Sequence, residues 1–193
     1  MSHRPRAVNV HGHEPTGSVS RGLCAIGYGP VAVRARTGVE GPLPECDVLY
    51  VSAGATAPLD VWLDALRPGG RLLFPLTSAQ GAGAMLLVTR TGNGLAARFV
   101  CQALFIPCAG ARDDQTAQKL LEAFKTGELW NFQRKGGLWD VQSLHRNSQP
   151  DNTCWFAGAG WWLSTEALDA GPEPGGVPGS GSAASSAPAA RPA

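Results

Sequence analysis

Two short stretches of small and polar residues are the places where this sequence could best do chemistry. Ser52 to Thr56 follow the apolar run Val48 to Val51, and Leu76 to Gly83 follow the next apolar run. Small residues let a ligand approach the backbone closely, and ligands of open α/β sheets bind beyond the carboxyl ends of parallel strands. The sequence therefore predicts a ligand site at these two stretches, with ordinary connecting loops as the alternative interpretation.

Histidine and cysteine side chains offer weaker candidates. His145 lies beside Arg146 but has no Ser or Asp in a nucleophile signature, which predicts an ordinary strand or surface histidine. Cys108 follows Pro107 and is typical of a small buried residue rather than a nucleophile. No metal site is predicted, because the remaining candidates fit no tetrahedral ligand spacing; they are His3, His11, His13 and Cys24.

A strand, a helix and a second strand must position the two stretches. Val48 to Val51 form an unbroken apolar run, as expected for a strand covered on both faces. A helix is predicted from Pro58 up to the stop signal Pro68 to Gly70. Arg71 to Leu76 predict a second strand that Pro75 closes, so the unit is βαβ with parallel strands. The predicted helix carries one apolar stripe, formed by Leu59, Trp62, Leu63 and Leu66.

Antiparallel strands are predicted further along the chain. Ala84 to Arg90 and Ala97 to Ile106 are strand-like runs joined by Thr91 to Gly94, whose Asn-Gly pair is a strong hairpin signal. Val141 to Arg146 and Cys154 to Ser164 predict a last strand pair. The sequence thus places a hairpin and a second antiparallel pair after the βαβ unit.

A second helix is predicted between these antiparallel pairs. Asp113 and Asp114 can cap its first turn, and Gly127 can end it. Its apolar stripe consists of Ala117, Leu120, Leu121 and Phe124. The stripe predicts that one side of this helix packs against the sheet.

Cys46 to Leu76 read C-D-V-L-Y-V-S-A-G-A-T-A-P-L-D-V-W-L-D-A-L-R-P-G-G-R-L-L-F-P-L. This stretch resembles the fourth strand, the following helix and the fifth strand of class I S-adenosylmethionine-dependent methyltransferases. It is most similar to the protein-L-isoaspartate O-methyltransferase group, through A-G-A-T-A-P followed by L-R-P-G-G-R-L-L-F-P-L. The predicted hairpin is similar to the antiparallel sixth and seventh strands of that fold.

The resemblance implies a fold class and an activity. The implied fold is α/β, a partial doubly wound Rossmann-like methyltransferase sheet with a C-terminal antiparallel hairpin. The implied activity is transfer of a methyl group from S-adenosylmethionine to a carboxylate in protein, with a damaged protein or peptide as substrate. The implied cofactor contacts are Ser52, Ala53 and Gly54, and no catalytic residue is implied because a carboxylate nucleophile needs no base.

The cofactor-binding half of that family has no clear counterpart here. Its first three strands and their loops need about 65 residues, whereas the fourth-strand match begins at Cys46. Val8 to His13 are similar only to a remnant of the third strand, and Ala25 to Gly29 are a lone G-x-G, which Pro30 follows at once. We therefore expect a methyltransferase impaired by truncation. The alternatives are a noncatalytic remnant or protein-interaction module, and a chain complemented by another subunit.

Composition sets the remaining expectations. The 193 residues are 44% hydrophobic and 16% charged with a formal net charge of +1, so no nucleic-acid or membrane partner is expected. Five irregularly spaced cysteines and the lack of an apolar leader favour a cytoplasmic protein. The chain divides into an irregular region at 1–45, a methyltransferase-like half at 46–168, and a disordered tail rich in Ala, Gly, Pro and Ser at 169–193.

Overall fold

A mixed β-sheet of eight strands is the main element of the described residues. The computed structural model describes residues 7–10, 38–126, 129 and 137–168. The strands are β1 (Ala7–Val10), β2 (Cys46–Val51), β3 (Leu66–Thr77), β4 (Ala82–Thr91), β5 (Gly94–Leu104), β6 (Ser143–His145), β7 (Cys154–Ala157) and β8 (Trp162–Ser164). The helices are α1 (Asp60–Asp64) and α2 (Asp114–Thr126), with a 3-10 turn at Leu138–Asp140.

The strand order in the sheet is β1-β2-β3-β4-β5-β6-β8-β7. The first three strands are parallel, and each later neighbouring pair is antiparallel. This arrangement confirms the predicted parallel pair, now β2 and β3, and the α/β character of the chain. β1 lies within the region 1–45 that was expected to be irregular, and it overlaps Val8 to His13, the stretch similar to a third-strand remnant. The predicted tail at 169–193 lies outside the described residues.

The helix between β2 and β3 is shorter than predicted. It has only five residues, and Leu66, expected at the end of its apolar stripe, is the first residue of β3. The physical reason is a backbone hydrogen bond of 2.8 Å from Cys46 N–H to the Ala65 carbonyl. This bond joins the chain to β2 at the point where another helical turn would begin. Trp62 and Leu63 of α1 are nevertheless buried, as their stripe predicts.

β3 begins before the residues that were predicted to separate helix from strand. Cys46 pairs with Leu66, but Val48 pairs with Arg71, so residues 67–70 bulge out of the ladder. Gly69 has φ +78° in this bulge, a conformation that favours glycine. The Pro-Gly-Gly sequence is therefore a bulge within the strand and does not end a helix.

Pro75 lies inside β3 and does not close it, because the strand continues to Thr77. The Pro75 carbonyl accepts a hydrogen bond from Ala55 N–H at 3.0 Å. The amide N–H that proline lacks would point to this same side of the strand, since the two groups of one strand residue point the same way. The antiparallel ladder to β4 therefore loses no hydrogen bond at Pro75.

The hairpin and the second helix are confirmed. β4 and β5 are antiparallel, and Thr91 lies opposite Gly94, which leaves two residues for the turn. The Asp113 carboxylate accepts hydrogen bonds from Thr116 N–H at 2.7 Å and from its hydroxyl at 2.6 Å, which caps α2. Three members of the predicted stripe are buried, and Leu121 is half-buried. The expected helix end at Gly127 lies outside the described residues.

The last predicted strand pair is only partly correct. Residues 154–164 contain two strands, β7 and β8, which form an antiparallel hairpin of their own. The chain reverses between them with Gly160 at φ +79°. β8 pairs with β6 and β7 lies at the edge, so the sequence pattern identified the paired segments but not the reversal inside the second one.

Within the described residues, the sheet has a face packed against helices and an open face. On the packed face, Trp62 of α1 lies 5.7 Å from Phe74 and Phe124 of α2 lies 6.3 Å from Phe99, measured between ring centroids. The ladder register places Phe74 and Phe99 on the same side of the sheet, both opposite Leu86. Both described α-helices therefore cover one face. A doubly wound sheet has helices on both faces, so that detail of the fold class stays a prediction.

Replacing Leu66 by alanine should lower the free energy of unfolding by about 2–5 kcal/mol. The Leu66 side chain is only 4% exposed, so its truncation leaves a cavity at the start of β3. Leu104→Ala is the matched control, because Leu104 is 77% exposed and its truncation should change stability by less than about 0.5 kcal/mol. Urea unfolding followed by tryptophan fluorescence measures both, and equal losses would contradict this packing.

Candidate functional site

The carboxyl ends of β2 and β3 meet at one edge of the sheet, as predicted. Ser52, Ala53 and Gly54 follow β2 directly, and Ala55 forms a parallel bridge to Leu76 near the end of β3. A third segment also reaches this edge, because Gly54 forms a parallel bridge to Pro107. The predicted site residues are therefore brought together with the chain that follows β5.

The backbone of this edge is already hydrogen-bonded within the chain. Gly54 N–H donates to the Ile106 carbonyl, and the Gly54 carbonyl accepts from Cys108 N–H, both at 2.8 Å. Ala55 N–H donates to the Pro75 carbonyl at 3.0 Å, and the Ala55 carbonyl accepts from Thr77 N–H at 2.9 Å. The small residues Gly54 and Ala55 thus allow close approach of the protein's own backbone segments, which occupy their hydrogen-bonding groups.

Gly54 also has no room for a ligand on its Cα. A Cβ placed there would lie 2.5 Å from Thr77 Oγ1, and both residues are buried. Ala53 is fully buried as well, while Ser52 is half-buried. Of these three residues, only Ser52 is partly exposed. The assignment of Ser52, Ala53 and Gly54 as cofactor contacts stays a prediction of the resemblance.

Arg112 is the charged residue at the centre of this edge. Its Nη1 donates to the Gly54 carbonyl at 3.2 Å and to Thr77 Oγ1 at 2.8 Å, and its Nη2 donates to the Ser78 carbonyl at 2.7 Å. We call these four residues the Arg112 cluster. Burial lowers the pKa of the guanidinium from its ordinary value, and the negative charge of Asp114 opposes that shift. The group remains a cation, because an arginine is not deprotonated at physiological pH.

The role of Arg112 in this cluster is hard to predict from the sequence. Its hydrogen bonds cross 34 to 58 residues of chain, so no local spacing reveals them. The one available signal is its position directly before the Asp113 cap of α2. A cation at this position is unusual, because acidic residues are favoured at the start of a helix.

The cysteine at this edge is structural. Cys108 is 3% exposed, which confirms the prediction of a small buried residue. Burial raises the pKa of its thiol, and the positive charge of Arg112 opposes the increase without cancelling it. A thiol with a raised pKa carries less of the reactive thiolate. Cys108 therefore lacks the lowered pKa that is typical of a nucleophilic cysteine.

A second polar site lies beside the β4–β5 turn. This turn is at the opposite end of the strands from the carboxyl ends of β2 and β3. It is an open pocket of about 400 Å³. His145 stacks on Trp162 in its wall, with ring centroids 4.0 Å apart. The polar side chains that line the pocket come from Asn93, Ser143, His145, Asp151, Thr153, Ser164 and Glu166.

Ser143 and His145 are in hydrogen-bonding contact, with Ser143 Oγ 3.0 Å from His145 Nε2. The same hydroxyl lies 2.7 Å from the Glu166 carbonyl oxygen, which can only accept. Ser143 therefore donates its single proton to Glu166, and His145 Nε2 is left as the donor to Ser143. A serine nucleophile requires the opposite direction. The spacing of two residues between them in β6 is the sequence signal, because residues i and i+2 of a strand lie on the same face.

Four residues were weighed as metal ligands in the sequence. His3, His11, His13 and Cys24 are outside the described residues. Within the described ranges, no cluster of three His, Cys, Asp or Glu side chains could hold a metal ion. No helix among these residues is long and apolar enough to cross a membrane.

Comparison with known proteins gives only partial likenesses. No family model matches the chain, and no curated protein matches it. One similar solved structure is a protein-L-isoaspartate O-methyltransferase, with 16% identity, a TM-score of 0.45, and coverage of 64% of this chain and 47% of that chain. The chain thus spans about half the length of that protein.

A second similar structure is a putative protein-L-isoaspartate O-methyltransferase from Plasmodium falciparum in complex with S-adenosyl-L-homocysteine. Its identity is 20% and its TM-score 0.28, and the match covers 34% of this chain and 29% of that chain. These likenesses concern part of the fold and establish neither an activity nor a ligand.

Gly54→Ala should destabilise the protein by about 1–3 kcal/mol, because the new methyl group would collide with Thr77. Thr77→Ala removes the colliding hydroxyl and methyl groups, so the double variant should be more stable than the sum of the single losses by about 0.5 kcal/mol or more. Gly92→Ala, which has nothing within 4 Å, is the control for added volume. Urea unfolding measures all four variants, and strictly additive losses would refute the contact.

Proposed function

We propose that this chain provides the carboxylate-binding part of a methyltransferase-type site that acts on carboxyl groups in damaged protein or peptide. The observation that carries the proposal is the Arg112 cluster at the carboxyl ends of β2 and β3. The resemblance of Cys46 to Leu76 to the protein-L-isoaspartate O-methyltransferase group supports the class of reaction. The composition supports a cytoplasmic setting without a nucleic-acid or membrane partner.

The hydrogen bonds of Arg112 leave it suited to an anion. All three reach neutral oxygens, and Nε donates in none of them. Among the described residues, Arg112 forms no ion pair. Guanidinium groups bind carboxylates through charge-assisted hydrogen bonds, which are stronger where solvent is partly excluded.

The cofactor belongs to other residues in this proposal. Gly54 and Ala55 use their backbone groups within the chain, and Ala53 is buried. S-adenosylmethionine would therefore be held by elements that residues 46–168 do not contain, supplied by a cofactor-binding segment or by a complementing subunit. Arg112 would orient the carboxylate that receives the methyl group.

A noncatalytic protein is the second candidate, and one observation favours it. The backbone hydrogen bonds of Gly54 and Ala55 close the edge where the resemblance places the cofactor. A remnant of a methyltransferase fold could retain this closed edge as a purely structural joint. The two candidates differ in whether Arg112 recognises a carboxylate.

The binding of an isoaspartyl peptide to the full chain tests the carboxylate site without any cofactor. We expect Arg112→Gln to weaken binding at least 10-fold, because the charge is lost, and Arg112→Lys to weaken it less. Lys125→Gln is the control, since Lys125 is an exposed cation in the last turn of α2, 13 residues along the chain from Arg112. Fluorescence anisotropy of a labelled peptide gives the affinities, and circular dichroism checks the fold. Equal binding by the wild type and Arg112→Gln would refute the role of Arg112.

Transfer of labelled methyl groups to the same peptide tests whether this chain binds the carboxylate while other elements hold the cofactor. We expect no transfer above background from the 193-residue chain, and transfer when a family-type cofactor-binding half is fused before Cys46. Transfer by the unmodified chain would show that it holds the cofactor itself. A well-folded fusion that binds S-adenosylmethionine but transfers nothing would support the noncatalytic candidate.

A further inference from the structure

The open face of the sheet carries an apolar band between two arginines. In one row across β2 to β5, the ladder pairs Val48, Arg71, Thr89 and Ala96. In the next row it pairs Tyr50, Leu73, Leu87 and Arg98. We call these eight residues the open-face patch. Because paired residues of neighbouring strands point to the same side, all eight share the face opposite the two described α-helices.

The apolar members of this patch are incompletely buried. Val48 is 41% exposed, and Tyr50, Leu73 and Leu87 are half-buried. The residues that alternate with them, such as Leu49 and Leu72, are fully buried. A strand with a buried face and a solvated face normally carries polar side chains on the solvated one. A contiguous exposed apolar area marks an interaction surface.

The two arginines give this surface a positive charge. Arg71 and Arg98 are exposed, and neither forms a hydrogen bond or an ion pair within the described ranges. No acidic residue occupies any of the eight positions. The patch therefore has apolar contact area with unneutralised positive charge in both rows, and an acidic partner would be complementary to it.

We infer that the open-face patch docks an amphipathic helix of another protein, with acidic residues beside its apolar stripe. Four strands at about 4.8 Å spacing make the patch about 14 Å wide, and one helix of about 10 Å diameter covers most of that width. A second copy of this chain is a poor occupant, because the same patch on that copy would offer no acidic residue to the two arginines. This inference stands whether or not the chain takes part in methyl transfer.

A pair of synthetic helical peptides tests the inference with the full chain. Both are 18-residue peptides with the same leucine stripe; one has glutamates flanking the stripe and the other has lysines. We expect the glutamate peptide to bind at least 10-fold more tightly in low salt, by fluorescence anisotropy, and to lose much of that advantage in high salt. Amide chemical shifts should change in β2 to β5 and remain unchanged in α2.

Charge reversal supplies the decisive variant. Arg71→Glu with Arg98→Glu should reverse the preference to the lysine peptide, and Lys119→Glu on α2 should leave it unchanged. The double variant should fold normally, since both arginines are exposed, and circular dichroism verifies this. Equal affinities for the two peptides would overturn the inference. Arginine-dependent binding to phosphatidylserine vesicles without a preference for the glutamate peptide would also overturn it, in favour of a membrane surface.

Discussion

The close approach of two backbones at Gly54 is the constraint on which the carboxyl-end edge of the sheet depends. Without a Cβ, Gly54 lies against the Thr77 side chain and exchanges two hydrogen bonds with the segment after β5. Thr77 and the Gly54 carbonyl then share the Arg112 Nη1 group. One glycine thus brings three distant segments into contact and sets the position of the cation proposed to bind carboxylates.

The two proposals use different parts of a sheet that has both described α-helices on one side. The packed face holds the core, with Leu72, Phe74 and Leu76 of β3 fully buried. The carboxylate site lies at the edge where β3 ends, and the docking surface lies on the reverse of the same strand, at Arg71 and Leu73.

Local patterns predicted those elements whose signals are themselves local. The Asn-Gly turn and the Asp113 cap act within four residues, so the hairpin and the start of α2 could be predicted from sequence. The length of α1 could not, because Leu66 is buried equally well at the end of a helix or the start of a strand. The Arg112 cluster could not be predicted either, because its hydrogen bonds join residues as far as 58 positions apart.

The two-residue turn between β4 and β5 has a consequence for the order of folding. A hairpin of this kind closes a short loop and forms in about 1–10 microseconds, whereas the five-residue α1 is too short to persist before it packs. The parallel β2–β3 contact must also close the longer loop that contains α1, at a greater entropic cost. We therefore expect the hairpin to serve as the folding nucleus. β3 would then pair with β4, and the parallel strands β2 and β1 would add last.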